Sequence, residues 1–121
     1  MPQGSRRYLK MDVIKFMLDN NIAIFVEIDV NDKLIYMKKR DIQMQSYDLF
    51  EQLILYNSID DLMQNVSGQL LPRIWGQGDT QCVICKPNDT KLICLFYDKH
   101  LDDKEKYFYA KELSIKINAI Y

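Results

Sequence analysis

Two apolar runs separated by a short polar stretch constrain this chain more than anything else in it. Cys82 to Cys85 and Leu92 to Tyr97 flank Lys86-Pro87-Asn88-Asp89-Thr90-Lys91, whose Pro, Asn and Asp are turn formers, so the pair reads as a β-hairpin. With Pro87 to Thr90 as the loop, antiparallel pairing sets Cys85 opposite Leu92 and Val83 opposite Cys94. Val83, Cys85, Leu92, Cys94 and Phe96 are then expected on one face, and Cys82, Ile84, Ile93, Leu95 and Tyr97 on the other. Neither face is polar, and strands of that kind have to be covered on both sides. Leu71 to Trp75 joins the hairpin through Gly76-Gln77-Gly78-Asp79 and makes a three-stranded meander.

Before the meander the hydrophobic period changes twice. Met11, Val13, Ile14, Met17 and Leu18 recur at helical spacing up to Asp19-Asn20-Asn21, which predicts a short amphipathic helix dependent on docking. Ile22, Ile24, Val26, Ile28 and Val30 then alternate with Ala23, Phe25, Glu27 and Asp29, a strand with one apolar face. Asn31-Asp32 supplies a turn, and Lys33 to Lys39 returns as a second strand whose charged end suits a sheet edge. Ser46 is the expected N-cap of a helix with two apolar stripes, Leu49-Phe50-Leu53-Ile54-Tyr56 and Ile59-Leu62-Met63-Val66. Their phases differ, so either one helix bends near Asn57 or two meet there, with Ser58 as a fresh cap and Gly68 as the stop.

After the meander, Tyr107, Ala110, Leu113, Ile117 and Ile120 define the inward stripe of a closing helix, with Asp102, Asp103 and Glu105 suiting its N-terminal dipole. The expected order is therefore α-β-β-α-β-β-β-α, with a five-stranded antiparallel sheet sandwiched by helices, an α+β fold. A length of 121 residues allows one domain, assigned to residues 11–121. Residues 1–10, MPQGSRRYLK, read as a flexible tail or cloning remnant.

Without that stretch the chain carries 13 basic against 17 acidic residues, a net charge of −4. A mildly acidic body with no Lys/Arg stripe argues against nucleic-acid binding. No apolar run reaches membrane-spanning length and no signal peptide is visible, so the expected compartment is the cytoplasm. Cys82 and Cys85 form a CxxC, but residues three apart on a strand point to opposite faces. With only Cys94 and distant His100 left as ligands, no metal and no cofactor is expected. All three thiols are expected free, Cys85 and Cys94 lying diagonally on one face.

No catalytic constellation stands out either. His100 has no nucleophile near it in sequence, and Gly76-Gln77-Gly78 is a hairpin turn rather than a phosphate loop. Glu27 and Asp29 share a strand face, where Lys38 is the expected neutralising partner. The reading is of a non-enzyme. Arg73 beside Trp75 has the composition of a binding hot spot, and Asp60 and Asp61 are charged candidates at a helix start. Tyr107, Phe108 and Tyr109 are too many aromatics for one helix face, so Phe108 or Tyr109 is expected to contact a partner.

The element order resembles the roadblock/LC7 family, with the related longin and profilin-like folds behind it. The segments that carry the resemblance are Ile24 to Asp29 running through a turn into Lys33-Leu34-Ile35, then Gly68 to Leu71, Thr80 to Lys86, Lys91 to Tyr97 and the closing helix. Asp32-Lys33 stands where many members have Asp-Gly. The resemblance implies a non-catalytic regulatory or scaffold subunit with a protein partner such as a small GTPase. It also implies a homodimer through residues 46–75, joining the central helix and the third strand. Size, acidity and absent catalytic residues also fit a second reading, a small bacterial immunity protein (antitoxin) that blocks a cognate toxin.

Overall fold

The computed structural model of the chain describes residues 13–121; the expected tail at 1–10 and Met11 lie outside the described residues. A first helix, α1, spans residues 13–19. Strands β1 (Ile24–Asp29) and β2 (Leu34–Lys39) follow, then α2 (Tyr47–Phe50), a π-helical stretch (Glu51–Leu55) and α3 (Ile59–Val66). The meander is β3 (Arg73–Gln77), β4 (Thr80–Asn88) and β5 (Lys91–Asp98), and α4 (Asp103–Ile120) closes the chain. All five strands pair antiparallel in the order β2-β1-β5-β4-β3. The expected α+β architecture is present, with β2 and β3 as the two edges.

Each face of the sheet has its own core. Cys82, Ile84, Leu92, Cys94 and Phe96 pack with Val26 and Ile28 against Phe50, Ile54, Leu62 and Val66 of the central helices. On the other side Val83, Cys85, Ile93, Leu95 and Tyr97 pack with Phe25 against α1 and α4. The hairpin is thus covered on both sides, as its composition demands. Its register differs from the expected one by a residue: Cys85 faces Ile93 and Ile84 faces Cys94. The cause is a bulge between Cys85 and Asn88 combined with a two-residue turn, Asp89-Thr90. Asn88 Oδ1 accepts from the backbone N–H groups of Thr90 and Lys91 and tightens that turn. One residue of slip reassigns every side chain on a strand. Cys82 and Cys94 consequently share a face, and Cys85 points to the opposite one.

Other expectations are corrected by the same tertiary context. Phe25 is fully buried, so β1, flanked by β2 and β5, is apolar on both faces over its first half. In α1 the inward residues are Val13, Phe16 and Met17, while Ile14 and Leu18 are exposed. Arg73, not Leu71, begins the third strand, Gly78-Asp79 is the whole turn after it, and Pro72 precedes the ladder. Gly78 has φ +59, the left-handed conformation that a two-residue turn takes without a Cβ clash. Lys33 adopts φ 55 at the place where the resembling family has glycine. Tyr107, expected on the inward stripe, is 54% exposed, and Tyr109 takes that inward place by packing edge-on against Tyr97.

The central helix resolves into two. Phe50, Ile54, Leu62 and Val66 all enter one core, yet a continuous α-helix would rotate Leu62 by about 120° away from Phe50. The π-helical turn, closed by the Tyr56 N–H on the Glu51 carbonyl, and the break at residues 56–58 absorb that mismatch. Ser58 Oγ then accepts from the Asp61 N–H and starts α3 afresh. Ser46 precedes α2 without a side-chain cap; its N–H instead donates to Thr80 Oγ1, and the Gln45 N–H donates to Asp98. Those bonds pin the helix start to the adjoining ends of β4 and β5. Gly68, φ +72, ends α3 as expected.

Candidate functional site

The strongest candidate surface is where α3 hands over to the edge strand β3. Along β3, Arg73, Trp75 and Gln77 lie opposite Ile84, Cys82 and Thr80 and face the layer of α2 and α3. Gln77 Nε2 donates to Asp48 Oδ2 of α2 at 3.0 Å, which closes the upper end of this layer. Trp75 packs part of its ring onto the core and leaves the rest accessible. The Arg73 guanidinium carbon sits 5.6 Å from the centroid of that ring, and one of its terminal nitrogens donates to Gln69 Oε1 at 2.5 Å. Arg73 Nε is buried with no hydrogen-bond partner. A buried donor left unpaired costs free energy, which the stacking of the guanidinium near Trp75 and its bond to Gln69 partly offset.

Beside it, the turn from α3 into β3 carries Leu70 with 95% of its surface exposed. Met63, Val66 and Leu71, with Gln64, Gln69 and Lys86, line an adjacent groove of about 540 Å³. Sequence reasoning missed both, because it began the third strand at Leu71 and gave the residues just before it no surface of their own. The available signal was Gly68 followed two residues later by a leucine pair ahead of Pro72, an apolar segment with no regular element to bury it.

The structure separates the other candidates. Asp60 and Asp61 lie at the opposite end of α3, where Asp60 pairs with Lys33 Nζ at 2.6 Å. Phe108, 56% exposed, stands on the outer side of α4, across the sheet from Trp75. Lys104 Nζ lies 5.9 Å from the Phe108 ring centroid, and Lys111 Nζ 5.5 Å from that of Tyr107. Tyr109 is different: its ring packs on the core and its hydroxyl donates to the Asn20 carbonyl at 2.8 Å. Arg73 and Trp75 are therefore the one pair among these six residues that the fold brings together.

Other chemistry-bearing groups are structural in their geometry. Glu27 and Asp29 are neutralised by Lys91 of β5, at 3.7 and 3.1 Å, and not by Lys38, which lies opposite Phe25. The hydrogen bonds from the Asp32 N–H and Lys91 hold the Asp29 carboxyl below its ordinary range. Glu27 also accepts from the Tyr121 hydroxyl. Cys82 and Cys85 point into different cores, and burial pushes the Cys85 thiol up to about 12 and raises that of Cys82. Such thiols carry negligible thiolate at neutral pH. Among the described residues no three metal-ligating side chains converge.

His100 Nδ1 lies 3.0 Å from Asp79 Oδ1, and that carboxylate raises the His100 pKa above 6.5. A raised folded-state pKa adds stability below the unfolded value and loses it as pH rises through the folded one. Titration of the single histidine by NMR is expected to show a midpoint above 6.5, with Asp79→Asn returning it toward that value; an unshifted wild-type midpoint excludes the pair in solution.

No protein-family model matches the sequence, and no curated protein matches it. Among solved structures the fold is similar to "MglB with tetrameric arrangement", with TM-score 0.58, 10% identity, and coverage of 96% of this chain and 89% of that one. A second similar structure, Myxococcus xanthus MglB, aligns with TM-score 0.47 at 12% identity over 88% of each chain. The first of these establishes the architecture, a roadblock/LC7-like fold.

Proposed function

We propose that this chain is a non-catalytic regulatory or scaffold subunit that works in the cytoplasm by forming protein complexes, and that it self-associates through residues 46–75. The observation that carries the reading is the edge strand β3, paired to β4 on one side only, with Arg73, Trp75 and exposed Leu70 gathered beside it. An exposed strand edge flanked by an aromatic-arginine pair and an apolar side chain has the chemistry of a protein interface. The solved structure of similar fold is described as tetrameric, which supports assembly as the working state. The family resemblance makes a small GTPase the partner class. The outer face of α4, with Tyr107, Phe108 and Ile115 exposed, is then available for that second protein while β3 is occupied.

Light scattering on the purified chain is expected to give a dimer or larger, and titration against the GTP-loaded small GTPases of the source cell to give binding by at least one. Trp75→Ala and Arg73→Glu are expected to weaken self-association about tenfold or more, the range of hot-spot truncations. A strict monomer that binds none of those GTPases overturns the reading. Rescue of cells expressing a neighbouring toxin would support the immunity-protein reading in its place.

A further inference from the structure

We propose that the edge strand β2 is a docking site for an extended, acidic segment of another protein, which joins the five-stranded sheet as a further strand antiparallel to β2. The site lies at the opposite border of the sheet from β3 and does not depend on self-association. Strand β2 bonds to β1 along one side, so its other row of backbone N–H and C=O groups faces outward over residues 34–39. A guest strand can pair with that row, and the side chains beside it decide which strand is accepted.

Those side chains fall into two halves. Leu34 and Ile35, 65% and 44% exposed, project to opposite faces of the sheet, and Ile35 also lines an apolar notch with Leu53, Ile54 and Ile59. Lys38, Lys39 and Arg40 make up the other half. Among the described residues none of these three cations forms an ion pair. Lys39 donates to the Tyr47 hydroxyl at 2.7 Å, and Arg40 donates to Asn21 Oδ1 at 3.3 Å and to the Ile22 carbonyl at 3.4 Å. Lys33, before the strand, is already held by Asp60. The charge left without a carboxylate therefore gathers at one end, which sets the direction of the guest: an antiparallel strand brings its acids first and its apolar residues after them.

Lysines on a sheet edge ordinarily keep other edges away. Here they exclude a second β2 and admit a complementary strand. Parallel pairing of two copies sets each cation of the run against itself, and antiparallel pairing sets Lys33 against Arg40. Neither brings a carboxylate to the run. A guest with two successive apolar residues covers Leu34 on one face and Ile35 on the other, since neighbouring side chains of a strand point to opposite faces.

Amide NMR of the isotope-labelled full chain, titrated with the end-capped synthetic peptide Glu-Glu-Glu-Thr-Thr-Val-Val, tests the site. Resonance shifts are expected along residues 34–40, with slowed solvent exchange at alternate β2 amides, those that face outward. A peptide with lysines in place of the glutamates should bind at least about tenfold more weakly, the sum of several exposed charge pairs lost and reversed. Lys38→Glu should weaken the glutamate peptide about threefold to tenfold and strengthen the lysine peptide. Its melting temperature should match the wild type, because Lys38 is exposed and holds no ion pair among the described residues. No shift in β2 at millimolar peptide overturns the proposal. Shifts without slowed exchange at the β2 amides leave only diffuse charge attraction and overturn the strand addition, and equal binding of the two peptides overturns the preference for acids. These outcomes read the same whether the chain is a monomer or a dimer, so they leave the self-association reading to its own test.

Discussion

Replacing Phe50 by alanine is expected to lower the unfolding free energy by about 3–5 kcal/mol, the range for emptying an aromatic core site. Phe50 is fully buried, meets Phe96 edge-on with ring centroids 5.2 Å apart, and has Lys39 Nζ 4.8 Å from its ring. Its segment makes the effect local as well as global. Neither α2, at four residues, nor α3, at eight, can hold a helix by itself in water. The order of residues 47–66 therefore comes from docking onto the sheet. Denaturant unfolding combined with hydrogen exchange checks this: protection across 47–66 should fall further than protection in β4 and β5. A loss below about 1 kcal/mol, the size of an ordinary surface substitution, would mean that the central helices are held elsewhere.

Leu113→Ala should cost about 2–5 kcal/mol by opening a cavity under α4. Leu113 is fully buried with Ala110 and Ile117 against Val83, Cys85, Ile93 and Leu95. Here the response should be different in kind. Helix α4 has eighteen residues and a capping box, in which Asp102 accepts from the Glu105 N–H and Glu105 accepts from the Asp102 N–H. It should therefore keep its helical exchange pattern while the whole molecule loses stability together. Ile115→Ala, at a position 70% exposed on the same helix, serves as the control. Equal losses from the two substitutions would contradict the assigned inward face.

The two substitutions also separate the layers. Phe50 belongs to the core that includes Cys82 and Cys94, and Leu113 to the core that includes Cys85. The sheet stands between them, so their effects should add to within a few tenths of a kcal/mol.

Much of the architecture was legible in residue pattern. Alternation and helical spacing, with Gly68, Ser58 and Asp102 as punctuation, placed every element in order. The doubly apolar hairpin required helices on both faces, and both faces have them. Details set by one residue were not legible. The bulge at Cys85/Asn88 moved the hairpin register, and β5 beside β1 made Lys91, not Lys38, the partner of Glu27 and Asp29. Neither follows from a strand's own residues, because each depends on which strand lies next to which.

The candidate surface divides in the same way. Arg73 and Trp75 stood out as a neighbouring pair from composition alone, and the alternation of β3 brings them to one face. That Asp60, Asp61 and Phe108 stand apart from them, and that Leu70 projects beside a groove, became visible only in three dimensions. Periodicity reports which side of an element is apolar. It carries no information on what a neighbour covers, since burial is a property of pairs of elements that the chain brings together from distant positions. For this protein the sequence by itself determined the helices, the strands and the need for a covered sheet, and the tertiary structure alone decided the register, the charge partners and which apolar side chains stay exposed.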